Sequence, residues 1–456
     1  MSRLSPFRGK PSRTQLLERV QREVQERQSQ SLHGAVLLNL KREKPSQEFQ
    51  RGWDIEIKLG NRPSVQVPRK TSIAQIFDRT GGKLVILGAE GAGKTTMLLD
   101  LAEKLATRAQ ADVSLPVPVL FNLSSWKNDH QAIADWLVVQ LQLKYDISAE
   151  LGKQWLAQQQ LLPLLDGLDE VEVERQNRCI QAINQFLESA SPPKHLVACS
   201  SFSAYKNCQT RFRLRAAILL KPLSENQIRE YLLDARSREL WYSLHNDFEL
   251  LKLAKTPLLL SMMTLGYEEI LIQSWKRLDS LEEQRKYLLN AFVRRQMMRE
   301  IDRPWYPKGQ EPRPEQVRHW LVGLAKQMQQ EGYTEFSPTQ LSPSWLKTPQ
   351  QQQRYQTGKS LVTGLLFGLI VGIIFGFLSG WFWAVITAII AGASGMFIRV
   401  PVLEKWFLRW LLWQQGVIPW NYRRFLNFMT ERLLLQKIGD SYQFIHHLLQ
   451  EHFSQL

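Results

Sequence analysis

The feature that most limits the possible folds of this chain is a glycine-rich motif between an apolar segment and a helical pattern. Residues 88–95 read GAEGAGKT and match the pattern G-x-x-x-x-G-K-[ST]. The glycines permit backbone angles at which successive N–H groups point at phosphate oxygens, and the following helix adds the positive end of its dipole. The motif therefore predicts a phosphate-binding loop that joins a buried strand to a helix.

Four further apolar segments, separated by helical patterns, follow this loop. They span residues 115–126, 160–171, 194–202 and 216–224. Strands that alternate with helices form a parallel sheet with helices on both faces. We therefore predict an α/β P-loop NTPase domain, a parallel sheet with flanking helices, over residues 71–223.

The loop and a downstream acidic segment make up the predicted nucleotide site. Lys94 would reach the β- and γ-phosphates, and the Thr95 hydroxyl would ligate Mg²⁺. Asp166 ends an apolar strand and would hold the same Mg²⁺ through water. Either Asp169 or Glu170 would orient or deprotonate the attacking water. The predicted phosphate-binding residues are Gly88, Gly91, Gly93, Lys94, Thr95 and Thr96.

The rest of the chain divides into regions with weaker patterns. Residues 1–70 are polar, and Thr14–Gln30 is amphipathic, which predicts a helix that either docks on the next domain or binds a membrane or a partner. Residues 224–345 are predicted to form a helical domain that begins with Ser224 as an N-cap. The polar, Gln-rich residues 346–360 are predicted as a linker, and residues 399–456 as a C-terminal helical segment.

A long stretch without charged residues runs from Ser360 to Ile398. A helix needs about 20 apolar residues to cross the hydrocarbon core of a membrane, so the stretch is long enough for two short spans. We predict a transmembrane helical hairpin over residues 361–398, with helices Leu361–Leu378 and Phe382–Ile398. The alternative is a pair of buried core helices in a soluble domain.

Glycine recurs at every fourth position of the first predicted span and forms one smooth helical face. Such faces let membrane helices approach closely, and the second span offers a matching set of small residues. The hairpin is therefore predicted to pack on itself or on copies of itself. The small residues are Gly364, Gly368, Gly372, Gly376, Gly380, Ala384, Ala388 and Gly392. Basic residues flank both ends, which predicts a multi-pass protein whose N- and C-terminal parts are cytoplasmic. The flanking residues are Lys347, Arg354, Lys359, Arg399, Lys405 and Arg409.

Overall charge bears on the possible binding partners, and the cysteine content bears on metal binding and on the cellular compartment. Lys and Arg number 58 against 43 Asp and Glu, a surplus of 15 that suits a membrane surface, a nucleotide or a nucleic acid. No base-reading module is recognisable, so no nucleic-acid partner is expected. The cysteines, Cys179, Cys199 and Cys208, form no zinc-binding pattern and fit a reducing cytoplasm.

Three motifs together resemble those of one family. They are GAGKTT in the loop, DGLDE after an apolar strand, and the segment VPVLFNLSSW. They resemble the NACHT group of STAND NTPases, particularly short bacterial proteins of the cyanobacterial type. The resemblance implies an ATPase that uses Mg²⁺ and switches between a closed form holding ADP and an ATP-bound form that assembles.

The resemblance also assigns roles to residues outside the loop. In AKTPLLLSMM, Pro257 would pack on the nucleotide. In YQFIHHLLQEHF, His446 would contact the β-phosphate of ADP from a winged-helix-like segment. Family members carry an arginine that senses the γ-phosphate where this chain has Ser201, and a serine cannot neutralise charge. The nearby residues Arg211, Arg213 and Arg215 are candidates to replace it; without such help, hydrolysis is expected to be slow.

The sequence therefore predicts a membrane-anchored NACHT ATPase that acts as a signalling switch and forms a homo-oligomer on activation. Defence against phage is one role that such a switch would suit. The alternative is a nucleotide-binding membrane scaffold with little ATP turnover.

Overall fold

Two structural units divide the chain. A computed structural model describes residues 12–32, 34, 36, 55–60, 63–68, 71–270, 272–275, 277–278, 280–299, 301, 305–307, 309–346, 348–396, 398 and 400–456. The first unit comprises residues 1–301 and 430–452, and the second comprises residues 302–429 and 453–456. Of the predicted membrane flanks, Lys347 and Arg399 lie outside the described residues.

A seven-stranded sheet with the order β2-β1-β7-β3-β6-β5-β4 forms the centre of the first unit. Strands β3 to β7 are parallel, whereas β1 pairs antiparallel with both β2 and β7. The five strands predicted from the sequence are confirmed, and the antiparallel edge is an addition. The strands are β1 (Ile55–Leu59), β2 (Val65–Gln66), β3 (Lys83–Gly88), β4 (Val117–Asn122), β5 (Leu161–Asp166), β6 (Leu196–Ser201) and β7 (Ala216–Leu220).

The central strands are buried along almost their whole length, as expected for a parallel sheet covered on both faces. Helices cover the sheet and connect the strands. They are α1 (Arg13–Ser29), α2 (Ile73–Arg79), α3 (Lys94–Ala111), α4 (Ile133–Tyr145), α5 (Ala149–Ala157), α6 (Val173–Leu187) and α7 (Phe202–Asn207).

Helix α1 confirms the amphipathic helix predicted near the N-terminus. Its apolar face, which includes Leu16, Val20 and Val24, is buried against the sheet unit. Arg13 fixes its start by donating to the carbonyl oxygens of Ala109 and Leu115. Of the two predicted uses of this helix, docking on the next domain is the one observed.

A run of helices follows the sheet within the first unit, and the region predicted as a helical domain, residues 224–345, is divided between the two units after residue 301. Ser224 caps the first of them, and its side chain and that of Gln227 form a reciprocal capping box. The helices are α8 (Glu225–Asp234), α9 (Arg238–His245), α10 (Phe248–Ala254), α11 (Pro257–Gly266), α12 (Ile272–Trp275) and α13 (Leu281–Met298).

A short β-hairpin from the C-terminal region also belongs to the first unit. Strands β8 (Leu435–Ile438) and β9 (Ser441–Phe444) pair antiparallel. The hairpin is bound to α1, since the Gln436 side chain donates to the Arg27 carbonyl oxygen at 2.9 Å. The predicted C-terminal segment 399–456 is therefore divided between the two units.

The second unit contains the apolar stretch, in two long helices. Its helices are α14 (Pro314–Gln330), α15 (Pro349–Ser379), α16 (Trp381–Gly395), α17 (Pro401–Gln414) and most of α18 (Tyr422–Glu431); α19 (His447–Ser454) follows β9. The turn between α15 and α16 lies at Gly380, where φ is +88°. Residues predicted as a linker are helical from Pro349 onward, because Thr348 and Gln351 form a capping box ahead of residues that favour helix.

The glycine face of α15 packs directly on α16. A Cβ atom at Gly364 would lie 2.6 Å from the Gly392 carbonyl oxygen, and one at Gly368 would lie 2.6 Å from that of Ala388. The packing predicted from the glycine spacing is therefore confirmed. Among the described residues, one helical segment, Pro349–Phe375, is long and apolar enough to cross a membrane, and Trp381–Gly395 is a shorter apolar helix.

Candidate nucleotide-binding site

The glycine-rich loop lies between the end of β3 and the start of α3, as predicted. Gly91 and Gly93 have φ values of +70° and +92°, which residues other than glycine rarely adopt. Gly93 is the N-cap of α3, so the first helical N–H groups face the loop rather than a capping side chain. This geometry is suited to binding phosphate oxygens.

Lys94 is held inside the loop. Its ammonium lies 3.2 Å from the Ala89 carbonyl oxygen and 3.6 Å from Asp169 Oδ2, and its side chain is 10% exposed. The loop therefore brings a buried positive charge next to one of the two predicted catalytic carboxylates.

Thr95 and Asp166, the predicted Mg²⁺ ligands, are in contact. The Thr95 hydroxyl donates to Asp166 Oδ2 at 2.8 Å. Burial raises the pKa of Asp166, and the positive charge of Arg27 and the hydrogen bond from Thr95 oppose that rise. Oxygen ligands suit Mg²⁺, which keeps waters and substrate phosphates in its shell. No group of three or more His, Cys, Asp or Glu side chains that could hold a metal occurs in the described part of the chain.

The second predicted carboxylate, Glu170, faces solvent at the same edge of the sheet. It follows Gly167, whose φ of +76° turns the chain after β5. Asn122, at the end of β4, donates its side-chain amide to Glu170 Oε2 at 3.1 Å. Asp169 and Glu170 therefore have different partners, Lys94 and Asn122.

Pro257 begins the helix that contacts the loop. The backbone N–H of Leu258 donates to the Gly91 carbonyl oxygen at 3.1 Å. A Cβ atom at Gly91 would lie 2.9 Å from the Cβ of Leu258, so glycine is needed there for this approach as well as for its backbone angle. Pro257 thus lies at the start of the helix that contacts the loop, and its packing on a nucleotide stays a prediction.

His446 lies in the bend between β9 and α19, within electrostatic range of Lys94. Burial and the positive charges of His447, Lys94 and Arg285 lower the pKa of His446 to about 3. Its Nδ1 accepts the backbone N–H of Leu448 at 3.1 Å. The neutral ring therefore carries its proton on Nε2, which leaves that atom as a donor.

A family model assigns the part of the chain that holds this site to a known domain family. Residues 83–239 match the NACHT domain family. This part of the chain is a NACHT domain. The match covers the glycine-rich loop, Thr95, Asp166, Asp169 and Glu170, and it confirms the resemblance seen in the sequence motifs.

Other comparisons add little to the NACHT assignment. No curated protein matches the chain. The Aeropyrum pernix ORC1 protein, solved in complex with DNA, is 12% identical and aligns over 82% of this chain and 86% of its own, with a TM-score of 0.31. Cdc6p from Pyrobaculum aerophilum is 11% identical over 84% and 90%, with a TM-score of 0.28. Both scores are too low to assign a shared overall fold.

Ser201 of the NACHT domain lies beside the loop, opposite Gly88 in the β3–β6 register. Its hydroxyl caps α7 by accepting the Ala204 N–H at 3.1 Å, and the residue is 2% exposed. Where family members carry an arginine, this chain thus has a buried hydroxyl that caps a helix.

The three arginines named as replacements do not serve that purpose. Arg211 donates to the carbonyl oxygens of Tyr205, Lys206 and Cys208. Arg213 pairs with Glu188, and Arg215 lies against Gly81 before the amino end of β3, away from the loop. The prediction that they compensate for Ser201 is wrong, because local partners hold Arg211 and Arg213, and Arg215 lies at the opposite end of β3 from the loop.

Sequence reasoning missed Arg27, whose charge acts on Asp166. It lies on α1, outside the NACHT match and far upstream of the loop. Its only local signal is a Glu23–Arg27 pair at i,i+4 spacing, which is common on helix surfaces.

Proposed function

We propose that the chain is a membrane-anchored NACHT ATPase that acts as a signalling switch controlled by ATP and ADP. Support comes from the loop itself and from two other segments of the first unit that lie near it. Lys94 lies in that loop, the helix begun by Pro257 is hydrogen-bonded to Gly91, and His446 lies within electrostatic range of Lys94. In the closed form, the Nε2–H of His446 would donate to the β-phosphate of ADP, and Pro257 would pack on the nucleotide.

The residues of the loop and of the end of β5 would bind different parts of the Mg²⁺–ATP complex. Lys94 would exchange its present contacts for the β- and γ-phosphates, and Thr95 and Asp166 would hold Mg²⁺. When bound, Mg²⁺ neutralises charge on the phosphate oxygens. Thr96 and the loop glycines would complete the phosphate cradle.

Hydrolysis would need a carboxylate close to the attacking water. The pairing of Asp169 with Lys94 favours Glu170 for this role. Glu170 would accept the proton of the water that attacks the γ-phosphorus, as the bond to the β–γ bridging oxygen breaks and ADP leaves. Release of Glu170 from Asn122 would precede that step.

Nucleotide binding by purified variants tests this function. Lys94→Ala should reduce ADP and ATP affinity by about tenfold or more, since it removes a charge-assisted phosphate contact. Glu170→Gln should keep the affinity and lose turnover. Lys104→Ala on the same helix, which pairs with Asp100, is the matched control and should behave like wild type. Unchanged affinity in Lys94→Ala would contradict the proposal.

Membrane anchoring is proposed from the apolar exterior of α15 and α16. Large side chains on both helices are strongly exposed, among them Leu365 at 65%, Phe377 at 90% and Trp381 at 80%. Exposed apolar area of this extent marks a membrane or protein contact. We propose that the two helices insert as a hairpin with both flanks in the cytoplasm, and that homo-oligomerisation of such an anchored switch suits a role in bacterial defence.

A membrane scaffold with little ATP turnover is the second candidate. It is favoured by Ser201, whose hydroxyl is used to cap α7 and offers no charge to a phosphate. ATPase rates of wild type, Lys94→Ala and Ser201→Arg separate the two functions. A wild-type rate no higher than that of Lys94→Ala would favour the scaffold.

A further inference from the structure

A cavity of about 370 Å³ lies in the second unit, between the polar start of α15 and helix α17. The two helices are in close contact beside it. The rings of Tyr355 and Phe407 stack with their centroids 6.2 Å apart, and Gly358 has no room for a Cβ atom against the Phe407 ring. The lining residues are Arg354 from α15 and, from α17 and its C-terminal end, Phe407, Trp410, Leu411, Gln414 and Gln415.

The lining combines a cation, amide groups and an apolar wall. Arg354 is exposed, and its guanidinium has no ion-pair partner in the part of the chain that the structure describes. A guanidinium binds phosphate oxygens through paired N–H donors, and the side-chain amide of Gln414 can add a further donor. Phe407, Trp410 and Leu411 form the apolar wall. The cavity is therefore suited to a phosphate that is attached to an apolar group.

Positive charge exceeds negative charge around this cavity. Residues 349–359 of α15 and helix α17 together carry four basic residues and one acidic residue, Glu404. Glu404 lies 3.9 Å from Lys359, and this ion pair leaves the other basic residues in surplus. Such a surplus attracts the anionic headgroups of a cytoplasmic membrane surface. The basic residues are Arg354, Lys359, Lys405 and Arg409.

The cavity also lies at a suitable depth for a lipid headgroup. Arg354 and Leu361, the first residue of the proposed membrane span, belong to the same helix, α15. At about 1.5 Å of rise per residue, the two are separated by about 10 Å along the helix axis. The headgroup layer on each side of a bilayer is about 5–8 Å thick, and an arginine side chain can extend toward it. Insertion of the hairpin would therefore place the cavity at the headgroups.

The outer face of α17 has the side chains expected at a membrane surface. Val402, Trp406 and Trp413 follow one another at helical spacing and are all exposed. The opposite face, which includes Leu408 and Leu412, is buried in the second unit. Exposed tryptophans beside basic residues are typical of the interface between a membrane and water. The helix that lines the cavity is thus suited to lie along the membrane surface.

We propose that this cavity binds the headgroup phosphate of an anionic phospholipid in the cytoplasmic leaflet. The proposal rests on the membrane anchoring proposed above and names the class of lipid that the anchored protein selects. Arg354 would pair with the phosphate, and Gln414 would donate to a second headgroup oxygen. Trp410 and Leu411 would contact the carbon atoms that join the headgroup to the acyl chains.

Native mass spectrometry of the full chain in detergent, titrated with phosphatidylglycerol or phosphatidylcholine, tests the proposal. Wild type should bind phosphatidylglycerol the more tightly. Arg354→Gln should weaken that binding by about fivefold and leave the affinity for phosphatidylcholine within about twofold. Arg354→Lys should recover part of the loss because it keeps the charge. Arg318→Gln, which changes an exposed arginine of α14 outside the cavity, is the matched control and should behave like wild type.

Equal affinity of wild type for the two lipids, or an unchanged preference in Arg354→Gln, overturns the proposal. Displacement of phosphatidylglycerol by an excess of inorganic phosphate also overturns it, because the site would then bind free phosphate. Should Arg354→Gln not fold, hydrogen exchange of wild type decides. Residues 349–359 and α17 should exchange more slowly with phosphatidylglycerol than with phosphatidylcholine, and identical exchange overturns the proposal.

Flotation of the full chain with vesicles of pure phosphatidylcholine tests the anchoring separately. A chain that does not float with these vesicles contradicts the membrane anchor itself and the headgroup site with it. A chain that floats but shows no preference for phosphatidylglycerol contradicts the headgroup site alone.

Discussion

At the scale of single residues, His446 is kept neutral by what surrounds it. Burial and the charges of His447, Lys94 and Arg285 lower its pKa to about 3, from an ordinary value of 6.5. In the unfolded chain the His446 ring therefore binds a proton as the pH falls through about 6.5, whereas in the folded, nucleotide-free protein it stays neutral at that pH. The stability associated with this group is present above that pH and falls as the pH is lowered toward about 3.

This gives a pH prediction for the nucleotide-free protein. The melting temperature of wild type should fall between about pH 7.5 and about pH 5, and His446→Gln should fall less because it cannot take up that proton. His130→Gln, an exposed histidine in the same unit, is the control and should follow wild type. Parallel melting curves for wild type and His446→Gln would show that His446 is not held neutral.

At the scale of elements, the small-residue face of α15 predicts the effect of a larger side chain. Gly368→Val would place a Cβ 2.6 Å from the Ala388 carbonyl oxygen and force the two helices apart. We expect a loss of about 1–3 kcal/mol, seen as a lower melting temperature in detergent. Leu369→Val changes an exposed neighbour and should have little effect. Equal melting temperatures for the two variants would argue against close packing.

The proposed orientation of the hairpin is tested by cysteine labelling in sealed membrane vesicles. A cysteine at Trp381→Cys, beside the Gly380 turn, should react with an impermeant maleimide only from the non-cytoplasmic side. A cysteine at Gln353→Cys, in the polar start of α15, should react only from the cytoplasmic side. The native cysteines are buried and should give little background. Labelling of both positions from one side would exclude a spanning hairpin.

The elements that sequence predicts well are those with strong local signals. Long apolar runs predicted β3 to β7. The glycine-rich motif at residues 88–95 predicted the phosphate loop, and the glycines at every fourth position of α15 predicted its close packing. Strands β1 and β2 were missed because they are short and largely exposed, with β2 at the edge of the sheet and β1 next to it. The polar start of α15 was missed because its glutamines suit both a linker and a capped helix.

Parts of the site that depend on tertiary contacts were harder to predict. The pairing of Asp169 with Lys94 and of Glu170 with Asn122 needs the three-dimensional arrangement of the strand ends. The action of Arg27 on Asp166 depends on how α1 docks. Local sequence also could not show that Arg211 and Arg213 are engaged elsewhere.

At the scale of the whole molecule, the chain passes from the first unit to the second and back again. The segment with α15 and α16 leaves the nucleotide-binding unit after residue 301 and returns to it at residue 430, ahead of His446. Release of the His446 segment on nucleotide exchange would therefore act on one end of the segment that carries the hairpin. This connectivity is why we propose that nucleotide state and membrane insertion are coupled.

The most direct test of a nucleotide-controlled switch is mass spectrometry of the nucleotide retained by detergent-purified protein, together with its oligomeric state. We predict ADP on a monomer, and a homo-oligomer after exchange for a non-hydrolysable ATP analogue. Lys94→Ala should retain no nucleotide and should not assemble. Purified wild type that holds no nucleotide, or that binds the ATP analogue without any change in oligomeric state, would contradict the switch.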